Sequence, residues 1–183
     1  MNSPPIIHQV LLTVIAVVAA IYDFRFRRIP NWLTLSGVLV GIGLNSFLNS
    51  AAYSWKSALM GLGLASLIYF PLYLLRGMGA GDVKLMAAIG ALVGPWNWFG
   101  IFVVSNIFGG LAAVVLLLTR GRARKTLMNV AYMFNELLHF RPPYMRTEEL
   151  DVKSPKALTM PHGVAIGVGC IAFLVGVAIW APK

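Results

Sequence analysis

Long apolar runs separated by short polar stretches dominate this chain, and they leave few folds open to it. Runs at 6–22, 32–48, 57–75, 100–119 and 163–180 each approach or reach the roughly 20 residues that a helix needs to cross a hydrocarbon core. A backbone in lipid must satisfy its hydrogen bonds internally, so such runs predict transmembrane helices. A further run at 83–93 is short and carries Lys84. A lysine at its edge can snorkel, however, and Pro95, Trp96 and Trp98 mark an interface just beyond it. Counted as a span, it makes six. The expectation is an all-α, polytopic transmembrane bundle formed by one membrane-embedded domain over residues 1–183.

Charge placement tests that arrangement. Only 11% of the residues are charged, whereas a typical soluble domain has about 25%. The net charge of +9 lies between apolar runs rather than on a soluble basic module, so the expected partner is the lipid bilayer and not nucleic acid. With six spans, Arg25, Arg27, Arg28, Arg76, Lys84, Arg120, Arg122, Arg124, Lys125, Arg141, Arg146, Lys153 and Lys156 fall on one side, and Lys56 and Lys183 on the other. The positive-inside rule makes the first side cytoplasmic and puts both termini outside. No Lys or Arg precedes Arg25, so the first run lacks the basic start of a signal peptide and reads as a retained span. The single cysteine, Cys170, excludes a disulfide framework within the chain and a cysteine zinc site.

Residues 120–161 turn basic, acidic and Pro-containing, which predicts a cytoplasmic loop. Within it Leu127, Val130, Ala131, Phe134, Leu137 and Leu138 recur at helical spacing. That pattern fits an amphipathic helix on the inner leaflet, and equally one packed on the bundle.

Six acidic residues occur, and four of them, Glu136, Glu148, Glu149 and Asp151, belong to this loop. The other two, Asp23 and Asp82, flank the membrane on the cytoplasmic side. Ionisable groups there are functional candidates, because desolvating a carboxylate is costly unless something uses or compensates it. Each also has a structural reading. Asp23 could be a helix-end carboxylate paired with Arg27, with Pro30 and Asn31 forming a turn that caps the second span. Asp82 could be an N-cap in a turn that Gly77, Gly79 and Gly81 permit. Glycines beside a carboxylate also let an extended peptide approach closely.

Taken together, the two contexts are more specific. Asp23 followed by Arg28-Ile29-Pro30-Asn31, and Gly79-Ala80-Gly81-Asp82-Val83-Lys84, resemble the two signatures of the prepilin peptidases, the type IV leader peptidase family of Gly-x-Gly-Asp membrane aspartic proteases. The likeness runs from the first span to the Pro161, Gly163 and Gly167 pattern that opens the last. It implies a bacterial inner-membrane aspartic endopeptidase with Asp23 and Asp82 as its catalytic pair and Gly79, Gly81, Lys84, Pro30 and Asn31 supporting the motifs. Its substrate would be a prepilin or pseudopilin precursor, losing a cytoplasmic leader, and pilus-assembly machinery would be a further partner. Larger members carry an N-terminal insert with paired cysteines and also methylate the new N-terminus. This chain has one cysteine and a short first loop, so it looks like the compact form associated with Flp-type (tight adherence) pili, and the departure argues against methylation.

Two close carboxyls cannot both ionise cheaply, so they share a proton and titrate as a unit. The ionised one takes a proton from water while the protonated one polarises the scissile carbonyl. Such chemistry needs no cofactor and no metal. Two other classes stay open at this point: a proton-coupled carrier, which predicts Asp-dependent flux, and a noncatalytic assembly subunit, which predicts partner capture without the aspartates. His162, between Pro161 and Gly163, could touch the site but at a helix start reads first as structural, and His8 and His139 match no ligand pattern. Ser105, Asn106, Gly109 and Gly110 read as interhelical hydrogen bonding and close packing. Neither cleavage preference nor oligomeric state is legible.

Overall fold

Five helices make up the described part of the chain: α1 (Ile6–Phe26), α2 (Asn31–Leu48), α3 (Trp55–Leu74), α4 (Ala80–Thr119) and α5 (His162–Trp180). The computed structural model describes residues 3–48, 53–119 and 161–180, together with Gly121, Met128 and Tyr132. The loop at 120–161 and its amphipathic helix fall almost entirely outside the described residues. All five helices are long and apolar enough to cross a membrane.

One stripe of α1 shows how sequence becomes packing. His8, Leu12, Ile15, Ala16, Ala19 and Asp23 are buried, while Val10, Val14, Val17 and Ile21 are exposed. Both sets recur every three or four residues, as two faces of one helix must. Because the exposed face is apolar, its solvent is lipid rather than water. The inward stripe carries a polar residue at each end, and those two ends define the two ends of the bundle.

The longest helix accounts for two of the six expected spans. A straight 40-residue α4 would extend about 60 Å, twice a hydrocarbon core. Instead it breaks at Gly94, whose φ of 75° and ψ of 174° are open to glycine and strained for other residues. Pro95 follows, where its missing N–H suits a new helical start. Across the corner, Trp98 Nε1 donates to Met86 O at 3.0 Å. Along a straight helix those residues would stand about 18 Å apart, so the second arm folds back on the first. The first arm is short for a bilayer because it lies inside the protein. Leu85, Met86, Ala88, Ile89, Gly90, Ala91, Leu92 and Val93 are all buried.

Other helices reach this central arm through small residues. A Cβ on Gly41 of α2 would lie 2.8 Å from Ala91 C and from Leu92 N, and Gly61 of α3 meets Gly90 backbone to backbone. With little hydrophobic drive between helices in lipid, such close contact supplies the packing attraction. The second arm rests on α5, where Ser105 abuts Gly169 and Gly109 faces Ala165. Last, α5 closes on α1 at Gly167, where a Cβ would lie 3.0 Å from Ala16 O.

Candidate active site

The end of the bundle opposite His8 gathers the C-terminal turn of α1 and the N-termini of α2, α4 and α5. Asp23 lies inside the last turn of α1, since the helix runs on to Phe26, and it is buried. The turn closes when Arg27, left-handed at φ 53°, donates its backbone N–H to Asp23 O at 2.9 Å. The Asp23 carboxyl points across to α5, where its Oδ2 accepts the Gly163 backbone N–H at 2.8 Å. Gly163 is in the first turn of α5, a position whose N–H has no partner within its own helix. A Cβ there would sit 2.8 Å from Asp23 Cβ and 3.0 Å from Oδ2, so any larger residue would displace the carboxyl.

Asp82 occupies the first turn of α4 and is partly buried. It is not the N-cap. Its carboxyl reaches back to accept a hydrogen bond from the Gly79 backbone, as the third residue of a capping box does. Oδ2 of that carboxyl would lie 3.2 Å from a Cβ on Gly79, so a side chain there would crowd it. Asp23 and Asp82 are close enough to act electrostatically on each other.

The two sequence motifs also touch directly. Gly81 faces Ile29, and a Cβ on it would meet Ile29 Cβ at 3.1 Å. Three residues on, Lys84 Nζ donates to Asn31 Oδ1 at 2.9 Å. Asn31 thus begins α2 with its side-chain oxygen turned to the lysine, and not to its own helix as a cap. Pro30 supplies the carbonyl that Thr34 N–H reaches at 3.4 Å. A short α1–α2 connection and a short α3–α4 connection are thereby joined by one close contact and one charge-assisted hydrogen bond. Both contacts tie the segment that follows Asp23 to the turn that carries Asp82.

Of three further neighbours, His162 was weighed from the sequence and read first as structural, and the other two were not singled out as parts of this site. Gly163 is 140 residues from its partner Asp23, and only the small residue after Pro161-His162 hinted at close approach. His162 lies within electrostatic range of Asp23. Tyr69 of α3 is buried against Trp98 and Phe102. Its hydroxyl is hydrogen-bonded to Asn106, and it is within electrostatic range of Asp82. Nothing marks it in an apolar run except its hydroxyl.

Comparison with known proteins points the same way. Residues 10–114 match the model of the type IV leader peptidase family, a stretch that contains both aspartates, Asn31 and Lys84 but ends before Gly163. A prepilin leader peptidase/N-methyltransferase of Xanthomonas campestris pv. campestris is 29% identical over 124 residues, which cover 64% of this chain and 42% of that protein. One of the same description from Escherichia coli K12 is 30% identical over 62% of this chain and 51% of its own length. A preflagellin peptidase of Methanocaldococcus jannaschii is 30% identical over 44% of this chain and 36% of its own. The chain therefore spans about half or less of the relatives it matches. No solved structure matches it.

Proposed function

This chain belongs to the type IV leader peptidase family, and from that premise we propose that it is an aspartic endopeptidase whose catalytic pair is Asp23 and Asp82. One observation carries the reading: the acidic side chains of the two motifs converge at one end of the bundle, Asp23 held by a backbone N–H from the start of α5 and Asp82 by one from its own first turn. Peptide hydrolysis without a metal requires an activated water and a proton donor for the carbonyl oxygen, and two carboxyls supply both. The ionised one accepts a proton as water attacks the scissile carbon. The protonated one hydrogen-bonds the carbonyl oxygen and then passes its proton on as the peptide nitrogen leaves. Gly163 N–H and Gly79 N–H act alike on the two carboxyls, so the pair rather than either member is the catalytic unit.

The substrate we assign is a membrane-anchored precursor of the prepilin class, of the Flp type, cut between a cytoplasmic leader and its hydrophobic helix. The names of the relatives support the class, and the short first loop with the single cysteine supports the compact Flp type. The site then faces the cytoplasm of a bacterial inner membrane, as thirteen basic residues against two favour. The test is to reconstitute the protein in liposomes with a purified Flp-type precursor and weigh the products. Loss of the leader by cleavage at a single bond is expected. An intact precursor would overturn the assignment.

A further inference from the structure

At the opposite end of the bundle, polar groups are buried that the proposed chemistry does not use. We infer that this end contains a water-binding site built from His8, Asn45, Tyr53 and Asn97. The four residues come from α1, α2, the bend before α3 and the corner of α4. His8 is fully buried, and Asn45 and Asn97 are 1% and 6% exposed. The imidazole packs at a tilt on Tyr53, with ring centroids 5.0 Å apart, and lies beside Asn45.

Hydrogen-bond accounting shows what is missing. Asn45 Nδ2 donates to Gly41 O at 2.8 Å and to Ala91 O and Leu92 O at 3.0 Å each. Three carbonyls around one nitrogen fix the amide's orientation, so Oδ1 must point away from them. Asn97 Nδ2 donates to Tyr53 Oη at 2.9 Å and faces Val93 O at 3.5 Å, which fixes the second amide in the same way. Among the described residues, no hydrogen bond of ordinary geometry reaches His8 Nδ1 or Nε2, Asn45 Oδ1 or Asn97 Oδ1, all buried, although the His8 ring and the Asn45 side chain are near enough to interact.

A neutral imidazole offers one N–H and one lone pair, so this set holds one donor and three acceptors. Pairing His8 with a single asparagine would leave the other amide oxygen unmet. Water offers two hydrogens and two lone pairs. One molecule can donate to both amide oxygens and accept from the imidazole N–H, meeting three of the four needs at once. The site is no part of the proposed catalysis, because His8 and Asp23 are about 22 Å apart along α1. Its role is to hold the corner: Asn45 serves the carbonyls that the break at Gly94 and Pro95 releases, and the water keeps Asn45 and Asn97 in place.

The chain has three histidines, so nitrogen-15 labelling of histidine alone gives a readable solid-state NMR spectrum of the protein in deuterated-lipid bilayers. His8→Phe assigns the His8 signals. Magnetisation transferred from water should reach the His8 ring N–H at short mixing times. Asn45→Leu combined with Asn97→Leu should weaken that transfer at least tenfold while His162, near Asp23, keeps its shifts. A wild-type His8 ring that receives nothing from water would overturn the inference on its own. So would wild-type transfer persisting in the double variant.

Discussion

A carboxylate at a membrane edge has several uses, and what distinguishes Asp23 and Asp82 is what their neighbours give up for them. Gly163 gives up a side chain. We expect Gly163→Ala to move the Asp23 carboxyl and slow leader cleavage by about 10- to 100-fold, because misplacement of this kind disrupts a reacting geometry more than it disrupts a fold. The rate of precursor cleavage checks this, with thermal unfolding beside it to separate catalysis from stability. Lys84 and Asn31 hold each other across two different connections at the exposed rim of the site. Losing one such bond costs about 1 kcal/mol, so Lys84→Met and Asn31→Ala should each slow cleavage by about fivefold, and the double variant should be no slower than either single one. Additive losses in the cleavage rate would show that Lys84 acts elsewhere. Both aspartates were legible in the sequence because charge is rare among apolar runs. Gly163 was not legible as a partner, since nothing local tells a glycine in a helix's first turn that its N–H faces a carboxyl 140 residues away.

At the level of elements, the corner of α4 turns two expected spans into one broken helix. Pro95 and the tryptophans read from sequence as an interface marker. They also form the corner itself, because Trp98 ties the second arm to Met86 on the first. The weakness of the 83–93 run has the same origin, since a helix wrapped by others need not match the bilayer. The corner exposes carbonyls, and Pro95 cannot donate to Ala91 O four residues back. Asn45 fills that gap from α2. Replacing it with leucine should destabilise the protein by about 2 kcal/mol, read as an earlier unfolding midpoint in detergent, because the freed carbonyls stay buried and unpaired. An unchanged midpoint would mean that the backbone relaxes to satisfy itself.

For the whole molecule, the helical bundle and its approximate span count followed from apolar run lengths, which obey the thickness of the membrane and little else. The order of packing around the first arm of α4 did not follow, because it depends on which small residues meet, as Gly41 does with Ala91 and Gly61 with Gly90. Orientation is testable directly. Cys170 is fully buried, so a membrane-impermeant maleimide on intact cells reports introduced thiols only. Lys56→Cys at the far end should react and Arg25→Cys at the aspartate end should not, until the cells are opened. The opposite pattern would place the site outside.

The central claim is that the two carboxyls act as one catalytic unit, and single replacements test it most directly. Purified wild-type protein, Asp23→Asn and Asp82→Asn, each reconstituted with a Flp-type precursor, would be compared for leader removal by mass over a time course. An amide can neither take the water's proton nor supply one, so each variant should cleave at least about 100-fold more slowly than wild type while inserting and unfolding as wild type does. Cleavage at the wild-type rate by either variant would contradict the account.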